Sequence, residues 1–338
     1  MGSVIKPVIA ITMGDPSGIG PEVIAKALAG RQIHRWCQPI VVGNTWSLEQ
    51  AVKLTNVQLH VREVPDVHNI EPSPKIANIL DIHNLNPVDI TVGQVSPICG
   101  KASMEWVSKA TDLALAGRVQ ALVTAPINKA AASLAGYKAI GHMELLQQMS
   151  GAYEIATMLI SGKLRVVHLT THRSLRMACE LVTRNEVLSK LKLTHKYFRQ
   201  WGFPNPRIGT AALNPHASDG GLLGDEETTA ITPAVEQARL QGIDAHGPIP
   251  ADIVFYQAIQ GKYDVVLAMY HDQGHIPVKV YGFEDSISVN LGLPFVRTSV
   301  DHGTAFDIAG KGVADHKSLV EAVRIASALC TGKGLSES

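Results

Sequence analysis

Three histidines stand directly behind apolar runs. Residues 164–170 lead into Thr171 and His172, residues 208–213 into Asn214, Pro215 and His216, and residues 265–269 into Tyr270, His271, Asp272, Gln273 and Gly274. In open α/β sheets, ligands gather beyond the carboxyl ends of the strands. Three neutral imidazoles with a fourth position left open would suit a catalytic site for a borderline ion such as Zn²⁺. The chain has 14 histidines, and ligands so far apart have no diagnostic spacing, so capping residues at three strand ends fit the same pattern. The stretch from Tyr270 to Gly274 favours chemistry, since four polar side chains and a glycine are more than a connecting turn requires. His275, in a turn-like context four residues after His271, is expected to support such a site at most.

A second set of residues could hold anions and a nucleotide. Gly14, Asp15, Pro16, Ser17, Gly18, Ile19, Gly20, Pro21 and Glu22 follow a strand and open a helix. Glycines there allow close backbone approach, and a helix start favours an anion. The spacing is not that of the Rossmann dinucleotide fingerprint, and by itself the segment reads first as a tight strand-to-helix turn. Residues 297–312, which include His302, Gly303, Thr304 and Asp307, are small, polar or glycine between an apolar run and the last helix. Such a segment can wrap a nucleotide or form a plain surface loop. His142, Lys279 and Arg297 are candidate anion holders, arginine offering a fork and lysine a point charge; a solvated side chain accounts for any one of them alone. Lys129 could serve as a general acid or base provided burial lowers its pKa, against the commoner role of a surface lysine at a helix start.

These residues need a scaffold that brings several strand ends to one edge. Further apolar runs at 8–13, 40–42, 121–123 and 287–300 suit strands buried on both faces. Helical patterning marks 21–29, 103–116, 144–150, 185–201, 228–241 and 317–329, with Pro21 where a first turn tolerates proline and Gly117 and Gly242 where helices stop. The alternation predicts an α/β chain with a largely parallel sheet. With 338 residues, 46% of them apolar, it can build a sizeable core. Lys plus Arg and Asp plus Glu are 30 each, which gives no electrostatic reason to expect nucleic acid or an anionic membrane as partner. The four cysteines are scattered without a CxxC pair, as in a reducing compartment. No apolar run approaches the ~20 residues of a membrane span, and no export signal is read at the start, so the cytoplasm is the expected location.

Taken together, these segments resemble the 4-hydroxythreonine-4-phosphate dehydrogenase family of vitamin B6 biosynthesis, with its paralogues acting on 4-phospho-threonate and 4-phospho-erythronate. The resemblance runs from Gly14 to the last helix. It is carried most strongly by residues 213–217 (LNPHA), 247–252 (GPIPAD), 268–274 (AMYHDQG) and 292–312. Gly18 to Glu22, and His302 to Gly310, also look like the wider isocitrate and isopropylmalate dehydrogenase group. The resemblance implies an α/β fold of two α/β/α domains around a cleft, isocitrate/isopropylmalate dehydrogenase-like, with 1–130 and 301–338 in the first domain and 131–300 in the second. It implies a tight homodimer whose site residues are shared across the interface. It makes His172, His216 and His271 metal ligands, with zinc the usual ion and magnesium or cobalt the alternatives. His142, Lys279 and Arg297 become contacts of a small anionic substrate, and Asp252 reaches a site from the partner subunit. NAD or NADP would be held partly by the loop around His302, with Gly14, Asp15, Gly303, Thr304 and Asp307 as candidates. Two positions depart from the family pattern. Met143 stands where a threonine is usual, and Ser288 where an asparagine is; Asn290, two residues on and so on the same strand face, can substitute.

The expected reaction is metal-assisted oxidation of a secondary alcohol by NAD, followed by loss of CO₂ from the resulting β-keto acid. The alternatives are the same chemistry on a cis-dihydrodiol dicarboxylate, with Met143 against the ring and Arg297 on a carboxylate, and, more remotely, a metal-dependent hydrolase or a small-molecule sensor.

Overall fold

A computed structural model describes residues 6–138 and 141–335. In chain order its first part contains β1 (Val8–Thr12), α1 (Gly20–Ala29), α2 (Ile33–Trp36), β2 (Gln38–Val42), α3 (Thr45–Leu54), β3 (His60–Glu63), β4 (Ile76–Leu80), α4 (Pro97–Leu115), β5 (Ala121–Thr124), α5 (Lys129–Leu134) and α6 (His142–Ser150). There follow β6 (Ala156–Ser161), β7 (Leu164–His168), α7 (Leu175–Glu180), α8 (Arg184–Gln200), β8 (Ile208–Ala211), α9 (Thr232–Leu240), β9 (Ala245–Ile249), α10 (Ala251–Ile259), β10 (Val265–Ala268), α11 (His271–Tyr281) and β11 (Ile287–Leu291). The chain ends with β12 (Val296–Val300) and α12 (Lys317–Cys330).

The chain divides into two compact units, 1–153 with 293–331, and 154–292 with 332–338. The changeovers lie at 153/154 and 292/293, not at the expected 130 and 300. The reason is packing: α5 and α6 lie against α4, and β12 pairs with β5 from Val296 to Ser299, so both segments stay with the first unit. Residues 332–335 join the second unit, where Leu335 is fully buried and its amide donates to the Trp201 carbonyl.

In the first unit the strands run in the order β3-β4-β2-β1-β5-β12, every pair parallel. Val8–Thr12 and Ala121–Thr124 are buried on both faces apart from Val8, which is why they appear in sequence as unbroken apolar runs. α4 and α12 pack along β1 and β5, while α1 touches α2, α3 and α12. In the second unit the order is β11-β6-β7-β10-β8-β9. Here β7, β10, β8 and β9 are parallel, and β6 runs antiparallel to both β7 and β11. Leu159, Val166, Val254, Phe255, Val266 and Val278 form its core.

Three expectations need correction. The run at 287–300 is two strands, interrupted at Gly292, whose φ of +100° only glycine adopts readily. The helix expected from 103 begins at Pro97, capped by the Ser96 side chain, which accepts from the Cys99 amide. His275 is not in a turn but one helical turn into α11.

Candidate active site

The second unit delivers two of the three strand-end histidines to one place. Beyond β7 and β10 the chain opens a cavity of about 320 Å³, lined by Thr171, His172, Arg173, Tyr270, His271 and Asp272 among others. The strand ends are tied together there. Thr170 Oγ1 donates to the Met269 carbonyl at 3.0 Å, and the Leu169 amide to that of Ala268 at 2.8 Å. Gln273 accepts from the Met269 amide and donates to the Ala212 carbonyl, both at 2.7 Å. One buried side chain thus links the ends of β10 and β8, a structural duty that accounts for part of the polar stretch behind β10.

The His172 and His271 rings lie 5.7 Å apart. His271 Nδ1 is 2.6 Å from Asp272 Oδ1. A carboxylate at Nδ1 keeps the proton on that nitrogen and turns the Nε2 lone pair outward, the arrangement that metal-binding histidines commonly have. His216 has a similar partner, its Nδ1 lying 3.3 Å from Asp219 Oδ2. It is not, however, among the residues that line the His172–His271 cavity. Among the described residues, the one group of three His, Cys, Asp or Glu whose ligand atoms all lie within 4.8 Å of each other is Glu63, Asp81 and His83. In that group His83 Nε2 is already 3.0 Å from Glu63, and Asp81 accepts the Thr45 and His83 amides. The His216 side chain is 71% exposed, on a turn in which His216, Ala217, Ser218, Asp219, Gly220 and Gly221 all have positive φ. Four consecutive non-glycine residues in the left-handed region cost about 1 kcal/mol or more each. Glu227 holds the segment before that turn: it is buried and accepts from the Leu213 and Asn214 amides at 2.8 and 2.7 Å. The donor set of imidazoles braced by carboxylates fits a zinc-like ion.

The first unit carries two of the three candidate anion holders, Arg297 and His142. Arg297 on β12 is 4% exposed and donates to Thr124 Oγ1 at 2.6 Å. Burial lowers its pKa to about 9, which leaves it charged at neutral pH and sheltered where attraction for an anion is strongest. His142 begins α6, and its Nε2 is buried without a hydrogen bond. Burial first, then the charges of Arg297 and Lys129, hold its pKa well below the usual imidazole value, so it meets a ligand as a neutral ring. Met143 follows it, half-buried. Lys129 is exposed at the start of α5, so the chain does not give it the burial that a lysine base needs.

Gly14, with φ of +73°, passes so close to β5 that a Cβ would lie 2.4 Å from the Pro126 carbonyl oxygen. Asp15 is fully buried, accepts the Ser17 amide at 2.9 Å, and burial raises its pKa to about 6. The loop containing His302, Gly303 and Thr304 lies against this turn: the Ile19 amide donates to the Thr304 carbonyl at 3.0 Å. His302 Nε2 is buried without a hydrogen bond, and Gly303 and Asp307 are exposed. In the second unit, Lys279 lies over the Phe283 ring at 5.2 Å, Ser288 and Asn290 share a face of β11, and Asp252 is exposed near the start of α10.

Residues 35–326 match the family model described as pyridoxal phosphate biosynthetic protein PdxA. The chain belongs to the PdxA family. A D-threonate 4-phosphate dehydrogenase of Cupriavidus necator is 43% identical, over 96% of this chain and 98% of the relative. The crystal structure of 4-hydroxythreonine-4-phosphate dehydrogenase from Klebsiella pneumoniae superposes with a TM-score of 0.90 at 40% identity, covering 97% of this chain and 99% of that one. A terephthalate 1,2-cis-dihydrodiol dehydrogenase from Burkholderia xenovorans superposes less well, with a TM-score of 0.66 at 30% identity over 95% and 98%. The chain is therefore an oxidoreductase acting on a CH–OH group.

In this PdxA-family chain the residues that sequence reasoning left without a role are Asp219, Glu227 and Asp272. Asp272 was visible beside His271. Glu227 closes the acidic run Asp225–Glu226–Glu227, which reads as a solvated face, and nothing local in that run signals that its last carboxylate is buried.

Proposed function

We propose that this chain is an NAD- or NADP-dependent dehydrogenase that oxidises, with decarboxylation, a phosphorylated four-carbon hydroxy acid. D-threonate 4-phosphate is the first candidate and 4-hydroxythreonine 4-phosphate the second. The observation that carries the reading is His271 beside His172 with its Nδ1 held by Asp272, in a chain 43% identical to a D-threonate 4-phosphate dehydrogenase. Met143 and Ser288, where the family pattern has threonine and asparagine, favour the paralogue over the vitamin B6 substrate. The 30% likeness to a dihydrodiol dehydrogenase ranks that alternative lower.

His172, His216 and His271 would hold the divalent ion, which would act as a Lewis acid on the substrate alcohol, as a nicotinamide ring would accept hydride. Arg297, His142 and Lys279 bind the phosphate, fixing the reacting carbon through remote binding energy. Buried Arg297 supplies charge, and neutral His142 supplies an N–H that does not repel it. Oxidation places a ketone β to the carboxylate, and that product loses CO₂. Because His216 does not line the cavity that holds His172 and His271, we assign the active form to a homodimer, with Asp252 and His216 candidates for residues given across the interface.

The test is NADH or NADPH formation with D-threonate 4-phosphate, 4-hydroxythreonine 4-phosphate and a dihydrodiol dicarboxylate, each with and without chelator. Turnover of a phosphorylated acid that chelation and His216→Ala both abolish is expected. Full turnover after chelation would remove the metal, and turnover of the diol alone would remove the substrate class.

A further inference from the structure

The brace on His271 has a second part that the proposed reaction does not use. One turn along α11, the His275 ring lies face to face with that of His271, centroids 3.6 Å apart and planes 14° from parallel. His275 Nδ1 is 3.0 Å from the His271 carbonyl oxygen, to which it donates. His168 also lies against it, at 4.6 Å between centroids with the planes tilted by 51°. That ring is almost fully buried, with Nδ1 3.3 Å from the Thr157 carbonyl. The space for this stack depends on Gly274, since a Cβ there would sit 2.3 Å from His168 Nε2.

We propose that His275 is a positioning residue for His271, a flat support that fixes the plane of the metal-facing imidazole and does not itself bind the ion. The inference rests on the metal reading above. Its physical basis is the direction of the lone pairs. They lie in the ring planes, so two parallel stacked rings aim them side by side, and both cannot converge on one ion at about 2.0–2.1 Å. The torsion that swings a histidine ring is intrinsically broad. Asp272 sets which nitrogen carries the proton, but one hydrogen bond still lets the ring rock about it. The His275 face removes that freedom, and His168 and the His271 carbonyl keep His275 from following.

Metal-free wild type, His275→Phe and His275→Leu are titrated with Co²⁺, read by the visible absorption of the ion, and with Zn²⁺ in competition with a chelating dye. Circular dichroism checks the fold. Loss of roughly 10–100-fold in Zn²⁺ affinity is expected for the leucine variant, with a changed Co²⁺ spectrum, and at most about threefold for the phenylalanine variant, which keeps the flat face. Unchanged affinity and spectrum in His275→Leu would overturn the inference, as would an equal loss in His275→Phe, which would point to a bond made by the imidazole nitrogens. Should the leucine variant not fold, His275→Gln, a donor without a ring, makes the same comparison. If wild type takes up no ion, the metal reading itself fails and this inference goes with it.

Discussion

Asp15 is a residue whose burial works against its charge. The carboxylate has no exposure, one oxygen accepts the Ser17 amide, and the other is buried without a hydrogen bond. Desolvation lifts its pKa from 3.8 to about 6, with the Ser17 bond only partly opposing it. Between those values the folded chain holds a proton that the unfolded chain has released, so this residue makes stability fall as pH rises through the window. Above pH 6 the whole penalty is present; below pH 4 it is gone. Asp15→Asn keeps an acceptor for Ser17 and carries no charge. The variant is expected to be more stable than wild type by about 1–3 kcal/mol at pH 8, and by little or nothing at pH 4. Urea unfolding of both proteins at the two pH values measures the gap, and a gap that does not shrink on acidification would show that Asp15 is charged without strain. The pattern around Asp15 was legible as a turn, but its burial was not, because the chain it packs on includes Pro126, whose carbonyl accepts the Asp15 amide from more than a hundred residues away.

At the scale of elements, α11 shows what a sequence conveys and what it hides. The strand before it, Val265–Ala268, was evident because burial on both faces leaves no polar position. The helix was not, since Gly274 and Pro277 lie inside it and both oppose helix formation. β3 escaped notice for a different reason: it lies at the end of its sheet, and none of its four residues is buried, so it shows no apolar run. Within α11, Gly274 answers to packing. Alanine is the better helix former by about 1 kcal/mol, yet here its methyl group would collide with His168. Gly274→Ala is therefore expected to destabilise the chain by about 1–3 kcal/mol, lowering the melting temperature. A rise in melting temperature would mean that the histidine stack yields easily. The three histidines were singled out because each lies within five residues of the end of a strand, β7, β8 or β10. The left-handed turn that carries His216 was not, since His216, Ala217, Ser218 and Asp219 are residues that seldom adopt positive φ.

For the whole molecule, the question is what covers the outer face of α11. Its inner side, with Gly274 and Val278, is buried, whereas Ile276 and Val280, four residues apart and so on one helical face, are 59% and 81% exposed, and Phe283, just beyond the helix, is 68% exposed. Exposed apolar residues are ordinary one at a time, but several close in sequence, on and just after the helix that also bears His271, are candidates for an interface. The homodimer proposed above would place a second copy of the chain there, because a two-fold contact gives each site what the other copy offers. Val280→Asp places a charge at the centre of that face and touches none of the proposed ligands. It is expected to convert a dimer to monomers in sedimentation velocity at micromolar concentration. Turnover should fall at least tenfold, since a desolvated, unpaired charge costs several kcal/mol at an interface. Activity should return in part as the protein concentration is raised, which a local fault in the site would not produce. A wild type that sediments as a monomer while fully active would instead mean that His216 serves the ion, if at all, within one chain.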